Sequence, residues 1–153
     1  MILLTYYYGH MLRLLHWCTD QLLNEALAKM DLTSSQGRII GFIARQTEAP
    51  CCRDLEEAFQ LSHPSVSGTL SRLEKKGFLE SRPDPEDRRL KRLYLLPKGE
   101  ECHNQIHATI QAIEEQIIQD FSPEEAELFS QLLSRAMANM GCIPPPPKPK
   151  EES

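Results

Sequence analysis

No apolar run in this 153-residue chain approaches the roughly 20 residues that span a bilayer, so the sequence offers no membrane-spanning helix. Met1 to Leu4 is apolar but lacks a basic leader and a small-residue cleavage site, so a cytoplasmic protein is expected. A disulfide framework is also missing. The five cysteines (Cys18, Cys51, Cys52, Cys102 and Cys142) are odd in number and irregular in spacing, which fits reduced thiols. Cys51 and Cys52 are neighbours in the chain and cannot take ordinary disulfide geometry. Glycine-rich phosphate loop, nucleophile elbow and complete metal triad are all absent, so an enzyme is not expected.

Positive charge is scarce overall, since the net charge is −5. Its distribution tells a different story. Between Ser62 and Lys98, nine basic side chains face five acidic ones, a local excess of +4 on an otherwise acidic chain. A polyanion responds to the field at the contact surface more than to the total.

The pattern predicts a helix over 1–30, where Leu4, Tyr8, Met11, Leu15, Leu22, Ala26 and Met30 trace one stripe. That stripe is longer than a small domain covers, so part of it is expected to pack on a second subunit. Thr33 and Gln36 form a capping-box pattern that opens a second helix, with Ile39, Ile40 and Ile43 inward. A short helix over Cys52–Phe59 should bury Leu55, Ala58 and Phe59. The next begins at His63 or Pro64 and runs to Lys76, where Gly77 stops it. Phe78–Arg82 and Arg89–Leu96 read as two strands around a tip of two prolines and three acids, a hairpin or wing. Pro97-Lys98-Gly99 leads into a fifth helix with a stripe from Ile106 through Ile110, Ile113 and Ile117 to Phe121. Ser122, Pro123 and Glu125 open a sixth, with Phe129, Leu132, Leu133, Ala136 and Met140 inward and Gly141 at its end. Residues 142–153 form a proline-rich tail.

The expected fold is therefore mainly α (α+β). A winged helix-turn-helix domain with a two-stranded wing spans 32–99, and N- and C-terminal dimerisation helices span 1–30 and 100–141.

Within the fourth helix Val66, Leu70 and Leu73 should anchor the core side. Ser65, Thr69, Arg72 and Lys76 then share one outward side, flanked by Ser67, Gly68, Ser71 and Lys75, with Ser62 and His63 at the helix start. Small hydroxyls and glycine let a backbone approach the floor of a major groove, and the longer cations reach phosphates or guanine edges. The hairpin contributes Arg82, Arg88, Arg89, Lys91 and Arg92. A proline-stiffened tip carrying arginines suits a narrow minor groove of strong negative potential. Asp87, two residues before Arg89, is placed to orient it by an ion pair. Against these stand a plain amphipathic surface helix and a solvated hairpin that only blocks edge pairing.

Helix order, spacing and motifs together resemble the MarR family of bacterial and archaeal transcriptional regulators, over roughly residues 32–133. The pieces are Leu32-Thr33-Ser34-Ser35-Gln36, then Pro64-Ser65-Val66-Ser67, then Arg72-Leu73-Glu74-Lys75-Lys76-Gly77-Phe78-Leu79. The wing adds Asp84-Pro85-Glu86-Asp87-Arg88-Arg89 and Leu95-Leu96-Pro97-Lys98-Gly99, with Leu96 replacing the hydroxyl residue common there. The resemblance implies that Arg89 enters a minor groove. It also implies a homodimer, built by the terminal helices, that reads an inverted repeat in double-stranded DNA. A sequence-specific regulator follows, expected to be a repressor, whose signal is an unidentified small molecule, metal or oxidant. The alternative is a winged-helix protein-interaction module without DNA binding.

No cofactor is required by this reading. His103 and His107, four apart on the fifth helix, could join a regulatory zinc site, or could simply face solvent. The zinc-responsive branch of the family also draws a histidine from the second helix, where this chain has Arg38. Cys18 reads as a redox thiol or a small packed side chain. Tyr6, Tyr7, Tyr8 and Trp17 read as a ligand-pocket lining or as dimer packing.

Overall fold

The computed structural model of the chain describes residues 7–143. Residues 1–6 of the helix expected over 1–30, with Leu4 and Tyr6, and the tail beyond 143 lie outside them. The order is α1 (Tyr8–Lys29), α2 (Ser34–Arg45), α3 (Cys52–Phe59), α4 (His63–Lys75), β1 (Leu79–Pro83), β2 (Lys91–Leu95), α5 (Pro97–Ile117) and α6 (Pro123–Asn139). The chain divides into one unit ending at Ile113 and another starting at Glu114.

In the first unit, Leu27 is the buried residue of α1, and Leu23 and Met30 pack partly against the core. Asp31 takes a left-handed conformation, φ 56°, and Leu32 N–H closes the turn on the Leu27 carbonyl at 2.9 Å. Thr33 then caps α2 as its sequence implies. Its hydroxyl accepts from Gln36 N–H at 3.2 Å while the Gln36 side chain accepts from Thr33 N–H at 3.0 Å. Ile39, Ile40 and Ile43 are buried beside Leu55 of α3 and Val66, Leu70 and Leu73 of α4. Ala58, expected inward, is exposed, and Phe59 is half-buried with its ring edge-on to Phe42 at 5.6 Å. Leu55 is the fully buried residue of this helix, with Cys52 and Phe59 packed partly against the same core.

Gly77, φ 79°, ends α4 and turns the chain into Phe78 and Leu79, both fully covered. β1 and β2 pair antiparallel from Leu79 opposite Leu95 to Pro83 opposite Lys91. Both strands are displaced from their expected limits, and β2 starts at Lys91 rather than Arg89. Asp84 Oδ1 accepts from Glu86 and Asp87 N–H, and Asp87 Oδ1 accepts from Arg89 N–H, so the tip is held as turns. Pro50 adds a contact the sequence did not announce, since its carbonyl accepts from Leu93 N–H at 2.8 Å. The first turn of α5 seats on the exit of α4. A Cβ at Gly99 would stand 2.1 Å from the Phe78 carbonyl oxygen, so only glycine fits this approach. Ile106 and Ile113 of α5 are buried, whereas Ile110 is exposed.

In the second unit, Ser122 Oγ accepts from Glu125 N–H at 3.1 Å and Glu125 accepts from Ser122 N–H at 2.8 Å, completing the expected capping box. Phe121 falls in the turn before α6 and meets Phe129 edge-on at 5.6 Å. Of the inner face expected for α6, Phe129 and Leu133 are half-buried and Ala136 is exposed. The helix has no buried residue, and Leu132 and Met140 are exposed.

Candidate nucleic-acid interface

The apolar anchors Val66, Leu70 and Leu73 set the rotation of α4, and that rotation decides what faces outward. Ser62, His63, Ser65, Ser67, Ser71, Arg72 and Lys75 are exposed. Gly68 is half-buried, yet a Cβ built there would meet nothing within 4 Å, so this stretch of helix is open to close approach. Ser62 and Ser65 hydroxyls lie 2.9 Å apart at the first turn. Thr69 is half-buried and its hydroxyl donates to the Ser65 carbonyl at 2.9 Å. Among the described residues, no ion pair engages Arg72 or Lys75.

Lys76 departs from the sequence expectation. Its ammonium donates to the Asp31 carbonyl at 2.6 Å and lies 3.2 Å from the Asp31 carboxylate, so it ties the end of α4 to the α1–α2 turn. Lys98 does similar work from α5, donating to the Lys76 carbonyl at 2.7 Å with its ammonium 4.3 Å from the Phe78 ring centre.

The wing separates its cations into two sets. Arg92, expected outward, turns inward: its Nε donates to Asp84 Oδ2 at 2.7 Å and its Nη1 to the Ala49 carbonyl at 3.2 Å. The hydrogen bond from Arg92, followed by the backbone N–H groups of Glu86 and Asp87, holds the Asp84 carboxyl below the ordinary range, and the same bond to Asp84 raises Arg92. Arg82 pairs with Glu80 and lies over the Tyr94 ring, 4.7 Å from its centre. Asp87 does not form the expected ion pair with Arg89 but holds its backbone at 3.0 Å. Arg88, Arg89 and Lys91 are exposed, and among the described residues none has an ion-pair partner. Sequence reasoning missed Asp84 as the organiser of the tip. Its spacing of two and three residues before Glu86 and Asp87 was the available signal.

Three further groups stand near these elements. His103 and His107 have ring centres 6.4 Å apart, and among the described residues no third donor joins them. Burial, then the Arg45 charge, then His107 hold His103 below its usual pKa. Arg38 is instead over the Phe59 ring, 4.8 Å from its centre. Cys52, Glu56 and His63 do converge, with donor atoms within 4.8 Å of one another. Burial, followed by Glu56, pushes the Cys52 thiol up to about 12, while hydrogen bonds from His63 and Cys52 lower Glu56. The spacing of four and seven residues was the unread signal for this trio. Finally, a cavity of about 480 Å³ opens between the end of α2, β2 and the start of α5, lined by Ile43, Thr47, Pro50, Tyr94, Glu100 and His103 among others.

Residues 30–90 match the model of the MarR family. The HTH-type transcriptional regulator YwoH of Bacillus subtilis is 29% identical over 109 residues, covering 71% of this chain and 78% of that protein. A solved structure from Clostridium acetobutylicum, assigned to MarR family transcriptional regulators, is 29% identical and superposes with a TM-score of 0.74 over 87% of this chain and 98% of that one. Staphylococcus aureus MepR in complex with DNA superposes at 0.75 over 87% and 99%, at 24% identity, a likeness of fold.

Proposed function

We propose that the chain is a transcriptional regulator of the MarR family and that it binds an inverted repeat in double-stranded DNA as a homodimer. In this reading α4 enters the major groove and the wing tip the adjacent minor groove. The observation that carries it is the sorting of cations. Lys76, Lys98, Arg82 and Arg92 are engaged within the chain, whereas Arg72 and Lys75 on α4 and Arg88, Arg89 and Lys91 on the wing are exposed without an ion-pair partner among the described residues. Partners already spent on structure leave the second set for phosphates and base edges. The MepR neighbour, solved with DNA, supports the same use of the fold.

The dimer is supported by α1 and α6. Leu12, Leu14, Leu15 and Trp17 of α1 and Leu128 and Leu132 of α6 are exposed, more apolar surface than a lone chain of this size leaves wet without a use. Two copies would present their α4 helices about one turn of B-form DNA apart, roughly 34 Å. Repression relieved by a signal is the mode of regulation proposed. The cavity beside His103 supports a small-molecule signal, because its wall includes β2 of the wing. No helix among the described residues is long and apolar enough to cross a membrane.

The deciding experiment selects duplexes from a random library with the full chain, then measures affinity by fluorescence anisotropy. Selected palindromic duplexes should bind at least about a thousandfold more tightly than random ones at physiological salt. Equal affinity for all duplexes, or no binding at low salt, overturns the proposal in favour of a protein-interaction module.

A further inference from the structure

Inside the helix-turn-helix, three ligating side chains of different chemistry meet at one point. Cys52 and Glu56 are one turn apart on α3, and left-handed Gln60, φ 53°, reverses the chain so that His63, the first residue of α4, reaches them. Cys52 Sγ lies 3.2 Å from Glu56 Oε1 and 3.7 Å from His63 Nδ1, and Oε1 lies 2.5 Å from Nδ1. Among the described residues this is the one trio of His, Cys and carboxylate donors that converges.

Tetrahedral zinc, with bonds of about 2.0 to 2.3 Å, holds its donors roughly 3.3 to 3.7 Å apart. The 3.7 Å from the sulfur to His63 already matches, and the 3.2 Å to Glu56 has only a few tenths of an ångström to widen. The Glu56–His63 contact needs to widen by about an ångström, within reach of a side-chain rotation because the His63 ring is 69% exposed. That exposure also leaves room for a water as fourth ligand. Thiolate, imidazole and carboxylate together favour a borderline-soft ion over magnesium or calcium, whose ligands are oxygens.

We propose that Cys52, Glu56 and His63 bind one zinc ion, which staples α3 to the first turn of α4. On binding, the Cys52 thiol proton leaves to solvent as the sulfur–zinc bond forms. The Glu56–His63 hydrogen bond breaks: its proton leaves Nδ1 and is carried by solvent to Nε2 of the neutral ring, so Nδ1 and the Glu56 carboxylate each bond the ion, which stays divalent. The site uses neither His103 nor His107, and it stands whether or not the chain binds DNA.

The test titrates the full chain, reduced and stripped of metal, with cobalt(II) as a coloured probe in the absence of DNA. One equivalent per chain should give thiolate-to-cobalt charge-transfer absorption with tetrahedral ligand-field bands, and one equivalent of zinc should bleach both. Cys52→Ser should abolish the charge-transfer band. Glu56→Gln and His63→Gln should weaken zinc affinity at least about tenfold, while a His103→Gln, His107→Gln double variant should bind as the unaltered chain does. Zinc should also raise Tm of the unaltered chain but not of Cys52→Ser. No charge-transfer band in the unaltered chain overturns the proposal without recourse to any variant. So does a band that survives Cys52→Ser or vanishes in the double histidine variant.

Discussion

The winged lobe and the helices at either end of the chain treat their apolar residues in opposite ways. In the lobe, Ile40, Leu55, Val66, Leu73 and Phe78 are fully covered by the chain itself. In α1, Leu12, Leu14, Leu15 and Trp17 remain exposed, and α6 buries no residue at all. Full burial of one large apolar side chain stabilises by roughly 1.5 to 3 kcal/mol, so each end helix forgoes several kcal/mol in a lone chain. Charge divides along the same line. Five exposed cations without an ion-pair partner among the described residues cluster on α4 and the wing, and the chain outside Ser62–Lys98 is acidic. One region is finished and carries the charge; the others present unfinished apolar faces. That division suits a molecule whose pairing with its own copy and whose pairing with a duplex use separate surfaces.

The comparison breaks most visibly if an end helix tolerates a charge. Leu15→Glu and Leu132→Glu are each expected to raise the dimer dissociation constant at least about a hundredfold, because an unpaired carboxylate would have to be buried. Sedimentation velocity over a range of concentrations reads this, and unchanged dimers would place the interface elsewhere. Next in size, Arg89→Ala should weaken operator binding by roughly 5- to 150-fold, with sedimentation and circular dichroism unaltered. Arg72→Ala should act similarly and relax sequence preference if the guanidinium reads a base. Lys75→Ala should instead weaken all duplexes alike and lower the slope of log affinity against log salt by about one. Thr33→Ala removes the α2 cap and should cost about 1 kcal/mol, read as a fall in Tm of a few degrees. The smallest expected effect is on the acid limb of stability. The Asp84 carboxyl is held below its ordinary range, so its contribution is complete above about pH 4 and fades as pH falls through the lowered folded-state value. Asp84→Asn should remove that dependence; a profile of Tm against pH that matches the unaltered chain would show that the wing does not rely on the pair.

Where the chemistry is local, the residues announced the structure. Thr33 with Gln36, Ser122 with Glu125, and Gly77 at φ 79° each mark a helix end by groups within three or four residues. The i, i+4, i+7 spacing of Val66, Leu70 and Leu73 likewise marks the buried side of α4. Distant partners were not readable. Lys76 looked like an outward cation because Asp31, its partner, lies 45 residues earlier. Arg92 alternates correctly with Leu93 for an outward strand position, yet Ala49, 43 residues before it, and Asp84 across the tip draw its guanidinium inward. The late start of β2 has a local origin instead, since the turn bonds of Asp84 and Asp87 compete with strand pairing at Arg89. At α3, the four-residue spacing puts Cys52 and Glu56 one turn apart, and the reversal at left-handed Gln60, which that spacing alone does not reveal, brings His63 to them.

Gly99 has a mechanical meaning. With the Phe78 carbonyl pressed against its α-carbon, Leu96 N–H bonded to that same oxygen at 3.0 Å and Lys98 clasping Lys76, the root of α5 and the exit of α4 share one rigid joint. A joint without slack acts as a crank: torque applied at the head of α5 is passed to α4, and a side chain as small as alanine at position 99 would pry the two apart.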